Sequence, residues 1–194
     1  MADKLATPQD LAALLQLDYA SLSDAQKAAM TLLVEMATAR VQSAAGGQRI
    51  VEATSTALVD VAPGNYSRHL VLPQQPARSV EAVKVDGVPV TDYKLTAGCL
   101  FRRSGWGRPA DPVQVAVTFT HGYPPGAQAL ELARDCVLSL ARLGYGNPQG
   151  AKSEAIDDYR IDYAEADARM ELTEHMRRAI AAAYGSGAYV TGSR

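Results

Sequence analysis

The chain has 194 residues, and its 19 Lys and Arg against 21 Asp and Glu leave a formal charge of -2. That length supports one domain with a core of its own, or one helical core carrying an insertion, and the charge lacks the basic footprint of a sequence-reading nucleic-acid binder. No apolar run approaches the roughly 20 residues that cross a bilayer, and the opening MADKLATPQD has no apolar leader segment, so the expectation is a protein of a reducing cytoplasm with Cys99 and Cys136 as free thiols.

Thr7 and Pro8 open a short first helix over LAALLQL, with Thr7 as N-cap and Pro8 at the first helical position, where a missing N–H costs nothing. Ser23 and Gln26 have capping-box spacing, and the helix they start runs to Gly46-Gly47. Met30, Leu33, Val34, Ala37, Val41 and Ala44 form one apolar stripe on it. Leu32, Met36 and Ala39 form a second, which predicts burial on more than one side.

From Ile50 to Tyr123 the texture becomes β-like, rich in Val, Thr, Gly and Pro. Asp86-Gly87 between Val-rich runs predicts a type I′ hairpin, and Pro89 makes the returning strand an edge. Two short strands flank the Ala97-Gly98 turn, and Val113, Val115, Val117 and Phe119 alternate with more polar residues in a half-buried strand whose parity continues to His121. Helical spacing returns after Pro124-Pro125-Gly126, with Leu130, Ala133, Cys136, Val137, Leu140 and Ala141 on one face. An extended arm follows over 147–163, in which Tyr159, Ile161 and Tyr163 alternate with charges. A last helix is expected from about Ala164, with Met170, Met176, Ile180 and Tyr184 on its apolar face, before a flexible tail over 185–194.

The expected fold is mainly α with a β insertion (α+β): a four-helix bundle with a small β-rich subdomain inserted between helices 2 and 3. Residues 1–48 supply the N-terminal helices, 49–123 the β insertion, and 124–184 the C-terminal helices with their arm.

Three readings of chemistry compete. His121 has the imidazole of a general base, so a small hydrolase is conceivable, yet no nucleophile motif, metal-binding helix or phosphate loop accompanies it. As a strand-ending residue His121 needs only a hydrogen-bond partner, with Gly122 permitting a sharp exit. FRRSGWGRP gathers Arg102, Arg103 and Arg108 around the lone tryptophan, Trp106, a composition suited to stacking a single nucleic-acid strand, to a solvated hairpin tip or to a protein interface. The run Asp157, Asp158, Asp162, Glu165 and Asp167 lacks calcium-loop spacing, and neither a metal nor a cofactor is expected.

LVLPQQPARSVEAVKVDGVPVTDYKL, then VQVAVTFTHGYPP leading into a helix, resembles the head-to-tail connector (adaptor, or head-completion) proteins of long-tailed double-stranded DNA bacteriophages. The entry of the form LP-x-x-P-x-x-S-V spans Leu72 to Val80, the V-DG hairpin Val85 to Gly87, the Y-L strand Tyr93 to Leu95, and the T-HGY strand end Thr118 to Tyr123. Asn147-Pro148 and KSEAIDDYRIDY resemble the arm of that family, with Asp157-Asp158 where a Gly is common. The resemblance implies no catalysis. It implies a homo-oligomeric ring, usually dodecameric, bound beneath the portal protein at the virion neck and leading to the next neck or tail protein, after assembly in the host cytoplasm. DNA would pass through the lumen without sequence-specific binding, which the near-neutral charge suits, and no membrane would be involved. By that similarity Tyr184, Tyr189, Val190 and Arg194 would contact the portal, while Trp106, Tyr159, Ile161 and Tyr163 would contact neighbouring subunits.

Overall fold

The structure is a computed structural model that describes residues 4–147, 153–156, 159–162 and 170–185. The chain divides into two compact units: Arg49–Pro125, and Lys4–Gln48 together with the described residues from Gly126 onward.

In the second unit, α1 (Pro8–Leu14) and α2 (Asp24–Ala44) both start with reciprocal capping boxes, Thr7 with Asp10 and Ser23 with Gln26. Each box satisfies orphan N–H groups at a helix start, so these starts are set locally by sequence. α2 ends where Gly46 and Gly47 take positive φ and the Gly47 N–H reaches back to the Gln42 carbonyl. α3 (Glu131–Gly146) and α4 (Glu174–Tyr184) complete the described helices, and α2 packs against all three others. Its buried stripe is Met30, Val34, Ala37 and Val41. α3 contributes Ala133, Cys136, Val137, Leu140 and Ala141. Gly144 lies inside α3, where a Cβ would sit 2.7 Å from Leu33 Cδ2 and 2.8 Å from Met170 Sδ, so close packing there calls for glycine. Two antiparallel strands, β8 (Ser153–Ile156) and β9 (Tyr159–Asp162), form a separate ladder in this unit.

Two expectations for this unit are corrected. The last helix does not run unbroken through Met170, which has φ 54; α4 begins at Glu174 under a Thr173 cap, and 163–169 lie outside the described residues. The second stripe of α2 is not covered, with Leu32 58% and Met36 41% exposed.

The Arg49–Pro125 unit overturns the expected fold class. A four-helix bundle with a small β insertion is replaced by an α+β chain whose β part is a full structural layer: a four-stranded antiparallel sheet in the order β1-β7-β3-β4 and a three-stranded one in the order β2-β6-β5. Here β1 is Ala53–Val61, β2 His69–Val71, β3 Ala77–Val85, β4 Val88–Pro89, β5 Tyr93–Thr96, β6 Cys99–Arg102 and β7 Val113–His121. The β layer has its own core, in which Val83, Val85, Val113, Val115, Val117 and Phe119 from the larger sheet meet Leu70 and Leu100 from the smaller, with Leu72 and Trp106 beside them. On the helical side α1 has 7 residues and α4 has 11.

Central in its sheet, β7 shows the alternation its sequence predicts, with every odd residue from Val113 to His121 buried. Both predicted hairpin turns have positive φ at both central residues, Asp86-Gly87 and Ala97-Gly98, as a type I′ turn requires. β4 is an edge strand, as Pro89 demands.

Candidate functional site

The family-like segments converge on one corner of the β unit. Leu72 is buried, the Gln74 side-chain oxygen accepts the Arg49 N–H at 2.7 Å, and the Gln75 amide donates to the carbonyls of Leu72 at 3.1 Å and Gly98 at 2.8 Å. The Pro76 carbonyl then accepts the Gly122 N–H at 3.0 Å, so the LP-x-x-P entry and the HGY exit are joined directly. Gly122 has φ +84, and a Cβ on it would lie 2.7 Å from the Val51 carbonyl oxygen; only glycine fits that crossing. Tyr123 continues it by donating its N–H to Ile50 at 2.9 Å and accepting from Glu52 at 2.8 Å.

His121 sits at the centre of this corner with 0% exposure. Its Nε2 is 2.9 Å from Ser55 Oγ on β1, and its ring is 5.3 Å from that of Phe119. Nδ1 is buried without a hydrogen-bond partner among the described residues; the Arg49 backbone lies close enough to favour the proton weakly but outside hydrogen-bond geometry. Burial pushes the imidazole pKa below its ordinary value, the Arg49 charge adds to this, and the ring is held neutral.

A serine beside a histidine is the beginning of a hydrolytic dyad. Among the described residues no carboxylate hydrogen-bonds Nδ1, and the ring is fully buried; the pair is a polar contact between β1 and β7 that satisfies Nε2 and the Ser55 hydroxyl. Among the described residues no group of three or more His, Cys, Asp or Glu side chains is placed to hold a metal ion.

The tryptophan cluster also turns inward. Trp106 is 2% exposed and its indole N–H is shared by the carbonyls of Arg68 and Leu100, each at 3.1 Å. Arg102 lies 5.5 Å from the ring centroid with its Nε 3.0 Å from both Asp92 carboxylate oxygens, and Arg108 pairs with Asp86 at 3.1 Å. The Arg102 hydrogen bond holds the Asp92 carboxyl below its usual pKa. Arg103 remains exposed beside them. A platform for stacking bases needs an open ring among uncompensated cations; this ring is closed, and two of the three arginines are paired with carboxylates.

The remaining candidate contacts fall into two groups. Tyr184 is 8% exposed, and its hydroxyl lies between the Ala129 carbonyl and the Ala133 N–H. Tyr159 and Ile161 lie on β9 opposite Ile156 and Glu154. Tyr163, Tyr189, Val190 and Arg194 lie outside the described residues. Sequence reasoning does not find Ser55, which is 66 residues from His121. The inward parity of β7 is the available signal, since a buried imidazole needs a partner.

Two solved structures have a similar fold. A chain in the neck of an empty GTA particle computed with C6 symmetry superimposes with a TM-score of 0.58 over 87% of this chain and 90% of its own, at 16% identity. A chain in the virion of a native gene transfer agent (GTA) particle gives 0.59 over 97% and 93%, at 15% identity. This chain has their fold. At such identity the likeness is one of architecture, and it includes both the helical and the β unit. No protein-family model matches the chain, and no curated protein matches it.

Proposed function

We propose that the protein is a structural component of a phage-like virion neck, without enzymatic activity, that connects the DNA-filled head to the tail or to the next neck protein. The observation that carries this reading is the coverage of the structural match: at least 87% of the chain follows a chain from a particle neck, leaving no large element to serve a separate activity. The motif order from Leu72 to Tyr123 points the same way, because those residues build a hydrogen-bonded corner.

In this reading the subunits form a ring at the virion neck, assembled in the host cytoplasm, beneath a portal and around a lumen that DNA traverses without base-specific contacts. The related neck was computed with C6 symmetry, and a ring of twelve contains a sixfold axis. Tyr189, Val190 and Arg194 remain the proposed portal contacts, with Tyr184 anchoring the helix that leads to them. Tyr159, Ile161 and Tyr163 remain proposed contacts between subunits. Trp106 would support such contacts from within the β core.

Electron microscopy of lysates from particles carrying a nonsense codon in this gene tests the proposal. Heads that lose DNA and tails that accumulate separately are expected. Normal tailed particles would overturn it.

A further inference from the structure

The four-stranded sheet has two unlike edges. On one side β4 covers only Lys84 and Val85 and ends in Pro89, which has no N–H to offer, and the rest of that side, Ala77–Ala82 of β3, carries two register shifts and the charges of Arg78 and Glu81, which blunt it. On the other side β1 runs nine residues, Ala53–Val61, pairs with β7 without a bulge, and contains no Pro, Lys or Arg. Thr54, Thr56, Leu58 and Asp60 are exposed along it, Leu58 by 65%. No backbone hydrogen bond among the described residues reaches its outer edge. Natural sheets blunt such an edge or cover it, because its unpaired N–H and C=O groups are a template for another strand.

The opposite deficiency occurs in the same chain. β8 and β9 make a ladder of four residue pairs with no third strand among the described residues. A two-stranded ladder of that length is marginal in water without a further strand or a packed face. β9 reads Tyr-Arg-Ile-Asp, with β-formers at alternate positions, and it includes Arg160, opposite in sign to Asp60, the one charged residue of β1.

We infer that β9 of one copy of this chain adds to β1 of a second copy, extending that copy's sheet to five strands. Each copy then gives one strand and accepts one, and β1, the long edge of the larger sheet without a bulge, is where it accepts. A contact of this kind is head-to-tail, the type that closes into a ring. The inference rests on the ring reading above and names the contact that builds it.

The test uses particles complemented with an equal mixture of two full-length chains in a Cys99→Ser background. One carries Thr56→Cys and the other Arg160→Cys or, in a second series, Ile161→Cys, so that both faces of β9 are sampled. After oxidation of purified particles, a disulfide-linked dimer from the mixture, absent when either chain is supplied alone, is the expected result. Particles that contain the protein but yield no such dimer in either series would overturn the strand pairing and leave the neck assignment intact. Linkage with Thr56→Cys alone would mean that β1 pairs with β1, and would also overturn it. An intrachain link in the Thr56→Cys, Arg160→Cys double variant would show the arm covering its own edge, with the same consequence. Tailed particles without the protein would remove the neck assignment itself.

Discussion

Tyr184 donates its phenolic proton to the Ala129 carbonyl across 2.6 Å and accepts the Ala133 N–H at 3.3 Å, tying the last residue of α4 to the start of α3. The α3 start has no side-chain cap of its own, so the tyrosine stands in for one from another helix. Tyr184→Phe keeps the buried ring and removes both bonds. It should lower stability by about 1–2 kcal/mol, a fall of roughly 2–8 °C in Tm for a chain of this size, measured by calorimetry.

Ser55 and His121 give a pH-dependent prediction. The buried ring favours the neutral imidazole, so its folded pKa lies below the ordinary 6.5. Its contribution to stability is whole above that value and declines as pH falls from there toward the folded pKa, with a slope of at most about 1.4 kcal/mol per pH unit. Urea unfolding between pH 8 and pH 5 should show a decline in the wild type that is reduced in His121→Gln. Ser55→Ala, which strands Nε2, should cost about 1–3 kcal/mol at pH 8.

Two glycines separate steric need from conformational preference. Gly126 has φ +77 and nothing within 4 Å of the place a methyl group would take, whereas Gly122 has φ +84 and the Val51 backbone 2.7 Å away. Gly126→Ala should cost about 1–2 kcal/mol, the left-handed penalty alone. Gly122→Ala should cost roughly 2–5 kcal/mol, since overpacking adds to that penalty. Equal losses in denaturant titrations would contradict the crossing at Val51.

Trp106→Phe leaves the Arg68 and Leu100 carbonyls without their shared donor and empties part of the β core. A loss of about 1–3 kcal/mol is expected. Fluorescence anisotropy with a single-stranded oligonucleotide should show no change in binding between wild type and variant. A loss of salt-dependent affinity would instead support a nucleic-acid role for the loop.

The elements legible in the sequence are those fixed by neighbours in the chain. Thr7, Ser23, Asp86-Gly87 and Ala97-Gly98 act within a few residues, so their caps and turns can be read directly. β1 is harder to single out because its inward positions include Ala53, Ser55 and Ala57, too small to print an apolar alternation. Met170, with its positive φ, packs beside Gly144, 26 residues earlier, and the partner of His121 lies on a strand far away in sequence. The size of the β layer escapes a linear reading for the same reason: sheets are built from distant pairings, while helical stripes announce themselves locally.

α2 is apolar on two sides but covered on one. Ala25, Ala29, Leu32, Met36 and Ala39 recur at steps of three and four residues, across the helix from Met30, Val34, Ala37 and Val41, and Leu32 and Met36 stand exposed among them. From Ala25 to Ala39, at about 1.5 Å per residue, this helix carries an apolar line roughly 20 Å long into the solvent. A chain newly released from the ribosome exposes that line to every other chain around it, and apolar surface of this kind favours chance association more as concentration rises. Timing and dosage of synthesis become part of how such a chain stays usable.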